Sequence, residues 1–455
     1  MVDLFRSPRR LLLFLFEGAL IGTLFILACC LVRGMRGGLT YPHLLSKAAL
    51  LVVVLGGSNY YAGFYDLSGF RSARQLYAKS LQAQVFAALI IFPILYLVRE
   101  LEIGREILIA TFALISVVLP TWRVFYNSVS STAGFFRRAI ILGNGELAQE
   151  IAKLVAESSE LGIELVGMLS RERSQVDVRS GVIGTYDQLY EVVMKEDIKV
   201  VLVAYPDRRG TLPVEQLLEV KFRGVEVEEG VIFYERMTGK IYVRELKPSQ
   251  LIFAEGFARR QTTRRLKRML DVICAMVGLI LSSPLFLLTT VLIRLDSPGP
   301  IFYRQVRAGE FGRLFTIIKF RSMRTDAEKH GAQFAKEKDN RVTRVGRFIR
   351  KTRIDEIPQF WNVLKGEMSM VGPRPERPVF IEQLEQQVPF FKQRLYVKPG
   401  LTGHAQVNAR YGEKLEDHFE KLQYDLYYIK SYSVLFDISI LIDTVKVVLL
   451  RIGSR

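Results

Sequence analysis

The sequence predicts a membrane protein in three parts: four transmembrane helices, an α/β middle domain built on a parallel sheet, and a mixed, mainly helical C-terminal domain with a re-entrant membrane helix. Three observations predict it. Four long apolar runs fill the first third of the chain, and short β-branched runs alternate with amphipathic stretches through the middle. A further uncharged run, interrupted by Ser282-Ser283-Pro284, lies between two basic clusters. The implied boundaries are 1–135, 136–255 and 256–455, with the re-entrant helix at about 270–294.

A chain of 455 residues exceeds the usual size of one domain. Its net charge of +17 accompanies a positive mean hydropathy of +0.18. That pairing favours basic faces meeting anionic lipid and phosphates over a soluble nucleic-acid-binding domain, so no nucleic-acid partner is expected. Cys29, Cys30 and Cys274 lie in apolar runs without metal-ligand spacing, which predicts neither a disulfide nor a zinc site.

The apolar runs are Leu11 to Val32, His43 to Tyr61, Leu81 to Val98 and Ile107 to Tyr126, each close to the roughly 20 residues a spanning helix needs. Arg6, Arg9 and Arg10 before the first run superficially resemble a signal peptide. The run is long enough to span, however, and no clear small-residue cleavage site follows, which predicts a retained helix. Basic residues in the second loop (Arg71, Arg74, Lys79) and after the fourth run (Arg137, Arg138) place the N-terminus in the cytoplasm; Arg33 and Arg36 in the first outer loop weigh the other way. Four such runs in succession argue against buried helices of a soluble all-α domain.

In the middle domain, Ala139-Ile140-Ile141-Leu142-Gly143-Asn144-Gly145-Glu146-Leu147-Ala148 joins a strand to a helix through G-x-G-x-x-A. Such glycines permit a tight turn and close approach of a phosphate to the helix N-terminus, so the domain reads as Rossmann-like. The next strand, Glu164 to Leu169, ends in Ser170 and Arg171 where a ribose-binding acid belongs, and the fingerprint is incomplete. Lys199 to Ala204 and Gly224 to Glu228 continue the sheet.

The next element follows the cluster Arg259, Arg260, Arg264, Arg265, Lys267 and Arg268 and runs uncharged from Val272 to Ile293. Pro284 has no N–H for the carbonyl of Ile280, so a kink is expected there, with serine hydroxyls satisfying freed backbone groups. Basic flanks on both sides, with Arg294, Arg304 and Arg307 following, fit a helix that turns back at Ser283-Pro284 better than one that crosses.

The segment Arg350-Lys351-Thr352-Arg353-Ile354-Asp355-Glu356-Ile357-Pro358-Gln359 sets two adjacent carboxylates among cations, ahead of Val371-Gly372-Pro373-Arg374-Pro375. One carboxylate can attack phosphorus while the other holds a divalent ion, and arginines bind phosphate oxygens. Taken alone, Asp-Glu before proline is more often a helix N-terminal charge pattern.

The wider context changes that weighting. The motifs are Lys267-Arg268-Met269-Leu270-Asp271, Ser297 to Gln305 with Arg307 and Gly309, Lys319-Phe320-Arg321-Ser322-Met323, the Asp355-Glu356 block, Asn362 to Ser369, Val371 to Pro375, and Lys398-Pro399-Gly400-Leu401-Thr402-Gly403. In that order they resemble the catalytic domain of the monotopic polyprenyl-phosphate phosphoglycosyl transferases, the bacterial sugar transferase family, from about Leu266 to the C-terminus. The resemblance implies that Asp355 is a nucleophile attacking the sugar-bearing β-phosphate of a UDP-sugar with release of UMP. It implies that Glu356 is the partner carboxylate engaging Mg²⁺, and that undecaprenyl phosphate or a similar lipid then accepts the sugar phosphate. Lys319 and Arg374 fall in matching motifs, and with Arg350 would offset phosphate charge.

Gly403 to Arg410 corresponds to a stretch where the family usually carries tryptophan at the position of His404 and glycine at that of Ala409. Alanine fits there only if the backbone needs no positive φ. By the same resemblance Arg410 contacts the nucleotide and Asp425 is a substrate-binding acid, with a helix-surface or hydrogen-bonding aspartate as the alternative. The stretch Ser433 to Leu450, with Asp437, Asp443 and Lys446, reads as an amphipathic interfacial helix. The long, three-part form implies a regulatory or oligomerisation role for the middle domain, with a homodimer as one outcome, work at the cytoplasmic face of the bacterial inner membrane, and initiation of exopolysaccharide or O-antigen repeat units. A membrane-anchored nucleotide-sugar dehydratase would need Tyr-x-x-x-Lys and a second glycine-rich turn after Pro284, and neither occurs. A membrane scaffold or sensor would not need the Asp355-Glu356 pair.

Overall fold

In the computed structural model, the described residues are 8–62, 64, 73–132, 137–157, 162–172, 181–204, 212–244, 246, 248, 251, 256–257, 261–327, 340–409 and 414–449. The chain divides into two compact units between Phe233 and Tyr234.

In the first unit, helices α1 (Pro8–Leu39), α2 (Leu44–Tyr61), α3 (Ala73–Leu97) and α4 (Arg105–Thr132) pack as a closed up-and-down bundle, α1 against both α2 and α4. All four are long and apolar enough to cross a membrane. Their outward side chains, such as Leu12, Val53, Leu89 and Ile109, are apolar and exposed, which suits contact with lipid. Inside lies a charge pair that the hydropathy pattern did not reveal. Arg123 Nε sits 3.3 Å from Glu17 Oε1 with both side chains fully buried, joining α4 to α1, and Arg123 also donates to the Phe64 carbonyl at 3.1 Å. In a low-dielectric interior such charges persist only when paired.

The same unit carries a five-stranded, all-parallel sheet of β1 (Arg137–Leu142), β2 (Ile163–Ser170), β3 (Val182–Thr185), β4 (Val200–Val203) and β5 (Glu226–Glu229), in the order β3-β2-β1-β4-β5. Parallel strands need both faces covered, and Ile140, Leu142, Leu169 and Val201 are fully buried accordingly. The helices joining the strands are α5 (Glu146–Glu157), α6 (Leu189–Lys195) and α7 (Val214–Phe222). The sequence reading placed β1, β2, β4 and β5 but not β3, whose four residues include Gly184. Gly143, at φ 129, makes the turn from β1 into α5. At the end of β2 the Ser170 hydroxyl donates to the Glu172 carbonyl, so the position of the absent ribose-binding acid is taken up by a local turn.

Helix α8 (Gly230–Thr238) leads into the second unit. Its longest element, α9 (Gln261–Asp296), is helical for 36 residues, with Pro284 inside it. Ile280, Leu281, Leu287, Leu288, Val291 and Leu295 are exposed on it, and α9 too is long and apolar enough to cross a membrane. The carbonyl that Pro284 leaves unpaired is satisfied: Ser283 Oγ donates to Ile280 O at 2.8 Å, and Ser282 Oγ donates to Gly278 O at 2.6 Å.

Beyond α9 an antiparallel hairpin of β6 (Phe302–Ala308) and β7 (Leu314–Phe320) follows at once. Then come α10 (Arg344–Lys351), a 3₁₀ turn at Ile354–Glu356, α11 (Gln359–Lys365), β8 (Ser369–Val371), α12 (Pro378–Glu385), a 3₁₀ turn at Phe391–Tyr396, β9 (Gly400–Thr402), α13 (His404–Asn408), α14 (Leu415–Lys430) and α15 (Val434–Leu449). Strands β8 and β9 pair in parallel at the centre of the core.

Candidate active site

Lys319 lies near the end of β7, where Tyr303 is its cross-strand partner. The strand is fixed to α11 by Asn362, which accepts from Ile318 N at 3.1 Å and donates to Thr316 O at 2.8 Å. Its far end is held by Arg321, which donates to Pro298 O at 3.0 Å and Ser297 O at 2.6 Å. Past the strand, Thr343 caps α10 by accepting from Gly346 N, and a Cβ on Gly346 would stand 1.9 Å from the Ser322 carbonyl. Only glycine allows α10 to start that close to the end of the hairpin.

Helix α10 delivers Arg350 and then stops. Arg353 takes a left-handed conformation at φ 61, turning the chain into the 3₁₀ turn that bears Asp355 and Glu356. A bulky residue at positive φ is uncommon, and such conformations concentrate at functional sites.

The two carboxylates face different company. Glu356 Oε1 accepts from Lys319 Nζ at 2.8 Å and from Arg374 Nη2 at 3.0 Å, and Arg353 Nη1 lies 3.9 Å from its other oxygen. Asp355 is 9% exposed and accepts no hydrogen bond from any described residue. Burial pushes its carboxyl up to about 6, and the Glu356 charge adds to this while Lys319, Arg353 and Arg350 draw it back. Burial would also raise Glu356, but Lys319, Arg374 and Arg353 together hold it well below the usual carboxylate range. One carboxylate is therefore pinned by cations that favour its charged form, and its neighbour, raised by burial, accepts no hydrogen bond from a described residue.

Arg374 comes from the turn after β8, a strand anchored from two directions. Asp271 Oδ1 accepts from Ser369 Oγ and from Met370 N, both at 2.9 Å. Lys267 Nζ donates to Val371 O at 2.9 Å and to Asp437 Oδ2 at 2.6 Å, and the Tyr428 hydroxyl, with one proton to give, lies 3.0 Å from Val371 O and 2.8 Å from Asp437 Oδ1. Asp437 was expected on the polar side of an interfacial helix; it points inward instead, 1% exposed, because it is the counter-ion of buried Lys267. The outward side of α15 carries Leu435, Ile438 and Val445.

The remaining sequence-derived positions are less central. Arg410 lies outside the described residues. Asp425 is 1% exposed on α14, with Oδ2 2.8 Å from Arg394 Nη2. Its carboxylate is thus turned to that arginine and not to solvent, as the partnered-aspartate alternative has it and not as a surface aspartate or an open substrate contact would. Burial pushes it up to about 6, against the pull of Arg394 and with Glu376 adding to the rise. His404 is 2% exposed within a box of Tyr424, Tyr427 and Phe436, its Nε2 3.1 Å from Gly239 O and its Nδ1 3.0 Å from Asn408 Nδ2. The ring therefore fills the core in place of an indole. Ala409 sits at φ −76, a conformation that alanine adopts freely. Sequence reasoning missed Arg353, Asn362 and Arg394 as site residues; for Arg353 the signal was its place two residues before Asp355, and for Arg394 there was none.

Cations gathered on one carboxylate, with the next left unengaged, suit phosphate-group transfer at a domain rooted in an apolar helix. The chain is a membrane-associated transferase. The bacterial sugar transferase family model matches residues 262–451, and a CoA-binding domain model matches 61–218. A UDP-glucose:undecaprenyl-phosphate glucose-1-phosphate transferase of Escherichia coli (strain K12) is 31% identical, over 91% of this chain and 90% of that protein. An undecaprenyl-phosphate galactose phosphotransferase of Salmonella typhimurium is 28% identical over 82% and 81%. A UDP-N-acetylgalactosamine-undecaprenyl-phosphate N-acetylgalactosaminephosphotransferase of Aeromonas hydrophila is 44% identical over 49% of this chain and 52% of that protein, so the match spans about half of that relative. The chain belongs to the bacterial sugar transferase family.

Proposed function

We propose that this protein transfers a sugar-1-phosphate from a UDP-sugar to undecaprenyl phosphate, releasing UMP, and so begins a surface-polysaccharide repeat unit. The observation that carries the reading is the contrast between Asp355, which accepts no hydrogen bond from any described residue, and Glu356, held by Lys319 and Arg374. An Asp355 oxygen attacks the β-phosphorus, the bond from that phosphorus to the oxygen bridging to the α-phosphate breaks, and UMP departs with the electron pair. A phosphate oxygen of the lipid then attacks the same phosphorus and frees the Asp355 carboxylate. Lys319 and Arg374 offset the repulsion between two anions in each step, and Arg353 and Arg350 add positive potential.

The reading includes a Mg²⁺ ion, which would share Glu356 with Lys319 and Arg374. No group of three or more His, Cys, Asp or Glu side chains converges among the described residues, and Mg²⁺ is characteristically held by one or two carboxylates plus substrate phosphates and water. Glu356, with Asp355 beside it, would hold the ion, which supplies neutralisation of the phosphate oxygens when bound.

The reading includes topology. The four-helix bundle spans the bacterial inner membrane, and α9 enters from the cytoplasmic side and turns back near Ser283-Pro284, keeping the active site with its nucleotide-sugar donor. Basic residues at both ends of α9 and the satisfied Ile280 carbonyl support it.

The test is UMP release by purified protein in detergent with Mg²⁺ and undecaprenyl phosphate, across UDP-glucose, UDP-galactose and UDP-N-acetylgalactosamine. Release from one donor, lost in Asp355→Asn, is expected. Full activity in Asp355→Asn would sink the nucleophile assignment.

A further inference from the structure

The turn Gly372-Pro373-Arg374-Pro375-Glu376 is held from behind by contacts unrelated to phosphate chemistry. Arg307 Nη1 donates to Pro375 O at 3.0 Å, and Ala308 N donates to Glu376 O at 3.1 Å, so β6 grips its far end. The carbonyl of Arg374 itself accepts from Arg394 Nη2 at 3.1 Å. That nitrogen also lies 2.8 Å from Asp425 Oδ2, and the Arg394 guanidinium lies 4.9 Å from the centre of the Phe391 ring. The side chains of Arg394 and Asp425 are 6% and 2% exposed.

A buried ion pair is a poor device for stability alone, since apolar residues of similar volume often serve as well or better. Its value lies in fixing one geometry, and here the geometry fixed is the backbone of the arginine that meets Glu356. Resting on the proposed reading of Asp355 and Glu356, we infer that Asp425 and Arg394 are positioning residues for the reaction: Asp425 orients Arg394, and Arg394 sets the Arg374 backbone so that its guanidinium stands at the phosphate site. Neither touches the reacting atoms. Arg394 is suited to this task because one nitrogen of a planar group set against Phe391 faces both the carboxylate and the carbonyl, whereas a lysine ammonium on a flexible stem is not held in that direction.

The experiment measures kcat and donor KM for UMP release in Asp425→Asn and Arg394→Lys, each also in an Arg374→Ala background, with thermal unfolding in detergent followed for every variant. Each single variant is expected to lose about 10- to 100-fold in kcat while donor KM moves less than about threefold, as a misplaced catalytic group does. In the Arg374→Ala background the same changes should cost less than about twofold more, because the group they position is gone. Unchanged kcat, or equal losses in both backgrounds, would overturn the inference. Should Asp425→Asn not fold, Arg394→Lys carries the test; if neither folds, the pair is a structural prop and the positioning role is wrong. A wild type that releases no UMP, or an active Asp355→Asn, would instead defeat the underlying reading of the site.

Discussion

Lys319 Nζ and Glu356 Oε1, on a strand of the hairpin and a 3₁₀ turn, meet at 2.8 Å. Lys319→Met is expected to lower stability by roughly 2–4 kcal/mol, less than for a fully buried pair because Lys319 is 18% exposed. Arg374 still holds Glu356, so the variant should fold and lose UMP release. Thermal unfolding beside single-turnover UMP release checks both halves, and wild-type turnover would remove Lys319 from the mechanism.

The neighbouring carboxylates should separate in a trapping experiment. Wild type incubated with its donor and no lipid acceptor is expected to gain the mass of a sugar phosphate on Asp355. Glu356→Gln should retain the nucleophile but form that adduct at least about 100-fold more slowly, since the charge that gathers Lys319 and Arg374 is lost. An adduct mapped to any other residue would refute the assignment.

Gly346→Ala places a methyl group where the Ser322 carbonyl stands 1.9 Å away. Either α10 or the end of the hairpin must shift, and a loss of about 2–4 kcal/mol is expected. Because α10 leads into the Asp355 turn, activity should fall even in the folded fraction. Unaltered unfolding and turnover would mean that the local packing is looser than described.

A pH effect follows from Asp425, whose environment comprises Arg394, Glu376 and Lys421. Its folded pKa of about 6 exceeds the ordinary value of 3.8, so the folded state binds the proton more tightly than the unfolded one. Its contribution to stability is therefore greatest below the unfolded value and is lost as pH rises to about 6, with a slope of at most about 1.4 kcal/mol per unit. Relative to wild type, Asp425→Asn should show a flatter decline in unfolding midpoint between these limits. Parallel curves would contradict the shift.

Ser283→Ala removes the hydroxyl that serves the Ile280 carbonyl, and in a membrane no water replaces it. A loss of about 1–2 kcal/mol is expected, partly recovered in Ser283→Ala/Pro284→Ala, where the backbone N–H returns. Detergent unfolding of the three proteins decides it: no recovery in the double variant would mean that the carbonyl is satisfied otherwise.

Much of the fold was legible because its signals are local. Apolar length marked the four bundle helices, and β-branched runs marked β1, β2, β4 and β5. In the site, Asp355, Glu356, Lys319 and Arg374 stood out because each sits in a dense motif, and the fold brings all four together. What stayed hidden depends on pairing across the chain. Arg394 is a lone arginine until the fold sets it against Asp425, Glu17 and Arg123 look like interruptions of two apolar runs, and Asp437 looks like a solvated charge until Lys267 meets it. The left-handed Arg353 carries no glycine to announce it.

Strand β8 has one mount on the long apolar helix, through Lys267 and Asp271, and another on α14, through Tyr428, with Asp437 of the last helix bracing both Lys267 and Tyr428. Arg374 follows three residues after Val371, so the reactive groups are levelled by a rigid bracket and not suspended on a tether. Asp271 directly precedes the apolar stretch that starts at Val272, so one residue inserted between them would turn the bracket by about 100° and shift it by about 1.5 Å relative to that stretch.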